Sequence, residues 1–353
     1  MTKIQKVAEL AGVSTATVSR ALAGKKSVSP ATRVRVETAA KELGYVVSAA
    51  ASSLASGRTR NVGVVMPFLN SWFYTTVMKG AQRALAEAGY DLTLYHLDTN
   101  PGNDIPHAAN PRRRQLFEDF LQRKRVDALL AISLELETGE LQQIRRLNKP
   151  VVGLGGPLPG IQTLSVDDRA IAQLATDHLL ALGHTQIAHI GGNPDFELDF
   201  HLPSNRRDGY EDSLTAAGIA LEPLMVRSAD FTIPGGYDAT LQLLGDPRVH
   251  PTAIFAASDE MAIGAILAAR DLGKTVPGDL SVIGIDGHTL GEFFGLTTID
   301  QHPEAQGRLA VESLLREIGS GAEAPDPDNT HLPHDLVVRK STAAPPTRHH
   351  ESA

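Results

Sequence analysis

From Asn61 onward the chain alternates short apolar runs with amphipathic stretches of helical period, a pattern that restricts it to parallel strands with helices packed on the sheet faces. Val62-Gly63-Val64-Val65-Met66 reads as a strand, Thr75 to Ala88 as a helix stopped by Gly89, and Asp91 to Leu97 as the next strand. The scheme repeats with a helix over Gln115 to Arg123, a strand over Ala128 to Ile132, a helix over Leu141 to Leu147 and a strand over Val151 to Leu154. A second cycle begins near Leu164. There, helices over Ala170 to Ala181, Arg206 to Ala217 and Met261 to Leu272 alternate with strands over Ile187 to Ile190, Ala253 to Ala256 and Leu280 to Ile285. Two α/β lobes of like design imply a cleft, and open parallel sheets bind ligands beyond the carboxyl ends of their strands.

Charge divides the chain differently. The formal net charge is −8, yet residues 1–60 carry ten Lys or Arg against three acids, a net of +7, which leaves −15 on the remainder. A basic head on an acidic body is what a chain needs if only the head meets a polyanion, since phosphate contacts dominate nucleic-acid affinity. A solvated basic face without a partner is the alternative. The 353 residues exceed a single small module, and 42% hydrophobic with 21% charged residues is an ordinary globular composition. With no Cys, a disulfide framework, cysteine-bound zinc, iron–sulfur clusters and a thiol nucleophile are excluded. No apolar run approaches the ~20 residues of a membrane span, and Met1-Thr2-Lys3-Ile4-Gln5-Lys6 leads into no signal-peptide core, so a cytoplasmic protein is expected.

Within the basic head, Ile4, Val7, Ala8, Leu10 and Ala11 have helical spacing, and Gly12 can take the left-handed backbone of a tight turn. Ser14 can N-cap a second helix over Thr15 to Leu22, striped by Val18 and Leu22 and ended at Gly24. Ser29-Pro30 opens a third helix, which Val36, Ala39, Ala40 and Leu43 bury and Gly44 ends. The spacing Ala8, Gly12, Val18 puts a small residue where two helices cross, a glycine in the turn and a valine in the junction. The second helix offers Thr, Ser and Arg on its exposed face, which suit base edges in a major groove. A three-helix packing module without DNA is the competing reading.

The run Val7-Ala8-Glu9-Leu10-Ala11-Gly12-Val13-Ser14-Thr15-Ala16-Thr17-Val18-Ser19-Arg20-Ala21-Leu22 resembles the DNA-binding head of the lactose/galactose repressor (LacI/GalR) family of bacterial transcription regulators. The likeness continues through Val28-Ser29-Pro30, Thr32-Arg33, Leu43-Gly44-Tyr45, Ala51, Ser53 and Leu54, and extends to about Thr342. It implies an α/β architecture: a three-helix helix-turn-helix head (1–46), a hinge helix and linker (47–60), and a two-lobed core of parallel sheets like a periplasmic binding protein (61–342). The N-lobe is expected at about 61–161 and 291–321, the C-lobe at about 162–290 and 322–342, and a disordered tail at 343–353. The resemblance also implies that Thr15 and Ala16 read base edges, with Thr17 and Ser19 on the same helix and Arg20 as the base-contacting arginine.

The linker Val46 to Arg60 favours helix through its alanines, but a stretch this short is not stably helical alone in water and is expected to fold only when held. By resemblance it is the hinge helix, which orders on operator DNA, pairs with its dimer mate in the minor groove and wedges a leucine, here Leu54, into the central base step. Wedges of this kind favour pyrimidine–purine steps such as CpG. Val47, Ser48 and Ser52 stand where the family's usual proline, asparagine and arginine would be, implying fewer phosphate contacts. A flexible linker whose Leu docks on the body remains open.

Polar and aromatic residues gather at the strand ends of the core. Trp72, the only Trp, and Phe73 follow the first strand and can stack on the apolar face of a sugar or base, or else pack in a core or dimer contact. Arg206 opens a helix after a polar loop, Ser258-Asp259 follows a buried strand, and Asp286 ends another. The resemblance implies that Arg206 and Asp286 clamp effector hydroxyls while Ser258 or Asp259 adds polar contacts, although an aspartate at a strand end can also N-cap the next helix. Gly287-His288 follows Asp286 where a second acid is frequent in the family, and Gly155-Gly156 is expected to leave room at the cleft floor. An aromatic pair with a charged hydroxyl clamp suits a saccharide better than an anion, with a purine or nucleoside as the alternative.

These readings predict a repressor acting as a homodimer on pseudo-palindromic double-stranded operator DNA with a central CpG, controlled by a small saccharide. No catalytic residue, cofactor, resident metal or membrane partner is expected. Gly153-Leu154-Gly155-Gly156 lacks the helix that must follow a dinucleotide loop, because Pro157 and Pro159 interrupt it, and the thirteen His show no metal-ligand spacing. Two rivals share the core. A binding protein feeding a transporter is opposed by the basic head and the missing export signal; an enzyme on the same scaffold is opposed by the lack of a nucleophile–base or metal constellation.

Overall fold

A computed structural model of the chain describes residues 3–23, 27–45, 57–67, 69–96, 126–136, 138–146, 148–193, 201–320 and 329–346, and separates into two units, Met1–Arg60 and Asn61–Ala353. In the first unit α1 (Lys3–Ala11), α2 (Thr15–Leu22) and α3 (Pro30–Glu42) pack around Val7, Ala8, Ala11, Val18, Ala21, Val36, Ala39 and Ala40. Gly12, at φ +63°, makes the turn between α1 and α2. Ser14 Oγ accepts the Thr17 N–H at 3.2 Å and Ser29 Oγ the Thr32 N–H at 3.3 Å, so both helices start at the caps the sequence supplies. Two residues expected in the core lie outside it, Leu10 at 53% and Leu43 at 43% exposure. Leu10 falls beside the arc that Val7, Ala8 and Ala11 turn inward, and Leu43 is the C-cap beyond the last turn of α3.

The second unit holds two six-stranded sheets. The first combines β1 (Asn61–Met66), β2 (Asp91–His96), β3 (Ala128–Ile132), β4 (Val151–Leu154), β5 (Gln162–Ser165) and β11 (Asn329–His331) in the order β11-β5-β4-β3-β1-β2, parallel throughout. The second combines β6 (Ile187–Gly192), β7 (Val226–Ala229), β8 (Ala253–Ala256), β9 (Ser281–Asp286), β10 (Thr297–Asp300) and β12 (Asp335–Val337) in the order β12-β10-β9-β8-β6-β7. Only β12 runs antiparallel, against β10. Strands β3 and β8 are buried along their whole length, as unbroken apolar runs in a parallel sheet require.

Around these sheets lie α4 (Trp72–Glu87), α5 (Thr138–Arg146), α6 (Asp168–Ala181), α7 (Leu202–Ala216), α8 (Ile233–Gly245), α9 (Asp259–Asp271), the short α10 (Gly291–Phe294) and α11 (Pro303–Ser320). Helices α4 and α11 cross where Gly80 meets the Glu304 carbonyl and Gly307 meets that of Val77, so neither position has space for a Cβ. This contact fixes the helix that carries Trp72 in its first turn. No helix among the described residues is long and apolar enough to cross a membrane.

Three expectations need correction. The lobes exchange chain at other points: the N-lobe sheet includes β5 and β11 and the C-lobe sheet includes β10, so the N-lobe is built from about 61–165 and 303–331 rather than 61–161 and 291–321. Hydrogen bonding decides this, because Thr163 and Leu164 pair with Gly153 and Leu154 of β4, while Thr297–Asp300 extend the register of Ile283–Asp286. Helices α4 and α7 begin at Trp72 and Leu202, not at Thr75 and Arg206, since first-turn residues add little to an apolar stripe. Gly155 has φ +113° and its open side is filled by Ser133, whose Oγ lies 2.7 Å from where a Cβ would stand, so the cleft floor is not enlarged there. The hinge with Val47, Ser48, Ser52 and Leu54, Gly24, and the stretch Gln115 to Arg123 lie outside the described residues.

Candidate functional site

On α2 the side chains of Thr15, Ala16, Ser19 and Arg20 are exposed while Val18 and Ala21 face the core. Thr17 is half-buried, and its hydroxyl lies 2.9 Å from Ser14 Oγ, joining it to the cap. The helix therefore presents one polar face with a single cation at its C-terminal end.

In the core, the strand-end residues of the C-lobe form one connected cluster. Arg206 sits inside α7, with Nε 2.8 Å and Nη2 2.7 Å from Asp168 Oδ1 and Nη1 donating to the Ala257 carbonyl. Burial raises the Asp168 pKa even though the guanidinium opposes it. Asp286 ends β9 at φ +132°, a backbone region that costs a non-glycine residue roughly 1–3 kcal/mol and needs the surroundings to enforce it. Its Oδ1 accepts from Gln301 Nε2 at 2.9 Å, and the Asp259 backbone N–H also donates to it. Burial holds this carboxyl well above its ordinary pKa; Arg206 opposes the shift, and Asp259 and Glu260 reinforce it.

Ser258 and Asp259 both make local hydrogen bonds. Ser258 Oγ N-caps α9 by accepting the Met261 N–H at 3.3 Å. Asp259 is wholly buried, and its Oδ2 accepts the His288 N–H at 2.7 Å. Burial pushes the Asp259 pKa up to about 7. Both residues thus brace the helix and the loop beside the cleft.

On the N-lobe side the two aromatic residues separate. Phe73 packs on the lobe's own core, edge-on to Tyr74 at 5.5 Å. Trp72 meets the other lobe: its ring lies 4.3 Å from that of His288, tilted by 31°, and its backbone N–H donates to Glu260 Oε2 at 3.2 Å. His288 Nδ1 accepts the Leu290 N–H at 2.9 Å, which leaves the imidazole proton on Nε2, and burial pushes its pKa down to about 4. Asp168, Glu260 and Gln301 escaped the sequence reading. Glu260 follows Asp259 and Gln301 follows Asp300 at a strand end, so position was a signal; Asp168, in the first turn of α6, carried none.

A small helical unit with one exposed polar helix, followed in sequence by two α/β lobes that touch where Trp72 meets Glu260 and His288, defines a DNA-binding regulator with a ligand-binding core. Residues 3–48 match the family described as bacterial regulatory proteins, lacI family, and residues 176–342 the periplasmic binding protein-like domain. The chain belongs to the lacI family, which comprises regulators rather than enzymes. The ribose operon repressor of Escherichia coli (strain K12) is 34% identical over 323 residues, covering 90% of this chain and 93% of that protein. Among solved structures, the lac repressor dimer bound to operator and the anti-inducer ONPF has a TM-score of 0.80 at 28% identity, with 96% of this chain and 98% of that chain covered. The complex of the transcriptional regulator CelR with cellobiose has a TM-score of 0.68 at 31% identity, with 96% and 99% covered.

Proposed function

We propose that the chain is a transcriptional repressor that binds a pseudo-palindromic operator as a homodimer, reads it through α2, and is controlled by a neutral saccharide held between the lobes. The paired state of Arg206 carries the effector class: its guanidinium is already neutralised by Asp168, and the carboxyls of Asp259, Glu260 and Asp286, whose pKa values burial raises, gather near it as hydrogen-bonding groups. Such a site gives hydroxyl groups hydrogen-bond partners and leaves no uncompensated guanidinium for a phosphate or carboxylate, and Trp72 adds a ring face that suits a sugar. The cellobiose bound by CelR and the name of the ribose operon repressor support the same class. An effector can change operator affinity only by preferring one of the two lobe arrangements.

The test pairs a thermal-shift screen with operator gel shifts. Neutral mono- and disaccharides, their phosphates, and nucleosides are compared, and a ligand at 100 times its Kd should stabilise by about 2.7 kcal/mol. At least one neutral saccharide should stabilise the protein and alter its operator affinity. A response confined to nucleosides or sugar phosphates would overturn the effector class.

Two predictions concern DNA. Arg20→Ala should weaken operator binding by about 1–3 kcal/mol and relax base preference, as loss of a guanine fork does; equal loss on random DNA would make Arg20 a phosphate contact. Leu54→Ala should weaken binding most on operators with a central CpG. Replacing that step by an A-tract should then couple to the substitution by about 1 kcal/mol in a double cycle of protein and DNA changes. Independent, additive losses would make Leu54 a plain linker residue.

A further inference from the structure

Helix α4 starts without help from its own cap. Ser71 occupies the N-cap position, but its side chain accepts no hydrogen bond from the first turn, where open N–H groups need partners. The Trp72 N–H is met instead by Glu260 Oε2 from α9 of the other lobe, and Glu260 also hydrogen-bonds with the Ser71 side chain. A carboxylate is the matched partner for a helix N-terminus. Beside this contact the Trp72 ring lies on His288, and His288 is itself fixed within the C-lobe through Asp259 and Leu290. One N-lobe residue is thus held by backbone and ring at once, from two separate C-lobe elements.

We propose that Glu260 is a positioning residue for the effector response: together with His288 it clasps Trp72 across the cleft and sets the joined arrangement of the lobes that an effector occupies. Opening the cleft would strip the helix of its cap and the indole of its stacking partner. By linkage, whatever breaks the clasp must also weaken a ligand that bridges the lobes. The claim about lobe contact stands on these distances alone; the claim about effector affinity rests on the saccharide reading above.

Trp72 is the only Trp of the chain, so its emission reports the clasp directly in the full-length protein without ligand. Glu260→Ala should shift that emission to the red and raise its quenching by acrylamide. Glu260→Gln, whose amide oxygen still accepts the N–H, should restore both. Unchanged emission and quenching in Glu260→Ala would overturn the proposal, and should that variant not fold, the same two readings on His288→Ala decide it. For a saccharide found to stabilise the parent protein, affinity should fall about tenfold in Glu260→Ala and recover in Glu260→Gln; equal affinity in all three proteins would remove the coupling. A screen without any responsive saccharide, alongside altered emission, would reject the effector class and leave the clasp standing.

Discussion

Arg206→Ala should cost the core about 3–5 kcal/mol in chemical denaturation, because it strands a buried carboxylate. The two side chains are only 4% and 12% exposed, and each of the three guanidinium nitrogens has a protein partner. The loss does not measure the worth of the ion pair. It measures Asp168 left charged where burial already raises its pKa with Arg206 in place. Asp168→Asn added to Arg206→Ala should therefore recover most of the stability, since an amide needs no counter-charge, and the two substitutions should be far from additive. The penalty should also shrink as the pH falls. Without Arg206 the folded-state pKa of Asp168 rises further above its unfolded value, so the stability lost at neutral pH returns as the carboxyl takes up a proton. A loss below about 1 kcal/mol in Arg206→Ala would contradict the buried pair. Effector contact is consequently better tested at Asp286, because a response lost in Arg206→Ala alone would not separate binding from folding.

What the sequence discloses here follows how local the determining physics is. Strands β1, β3, β4 and β8 are legible because burial on both faces demands an apolar run, and the head is legible because Gly12, Ser14 and Ser29 act within a few residues of themselves. The lobe exchange points were not. Gln162-Thr163-Leu164-Ser165 and Thr297-Thr298-Ile299-Asp300 are half polar, and only their partners in the ladder assign them to a sheet. The cleft shows the same division. Strand-end positions pointed to Asp286 and Ser258-Asp259, but a hydroxyl that caps a helix and one that meets a ligand look alike in sequence. The Trp72–His288 stack and the Arg206–Asp168 pair join residues of separate elements, and no local pattern encodes either one.

Acid should weaken the C-lobe through His189. This residue lies in β6 between the rings of Tyr210 and Phe255, at 5.1 and 4.8 Å, with Nδ1 3.1 Å from the Phe255 carbonyl. That carbonyl takes the Nδ1 proton, so the neutral ring is the satisfied form, and Nε2 is buried without a partner for a second proton. Burial pushes the pKa from 6.5 down to about 4. A group depressed in the folded state contributes stability that is complete above its unfolded pKa and lost as the pH falls through the folded value. Here the window runs from 6.5 to about 4, and the loss is on the order of 3 kcal/mol. Asp259 acts in the opposite sense: with its pKa raised to about 7, its contribution is present in acid and lost as the pH rises through 7. The parent profile alone therefore mixes these two with the shifts of His288, Asp168 and Asp286, and a comparison isolates His189. His189→Gln keeps a donor for the Phe255 carbonyl and cannot titrate, so the stability difference between parent and variant should narrow steadily from pH 6.5 to pH 4.5. Two parallel profiles would show that His189 does not change protonation between the folded and unfolded states in this range.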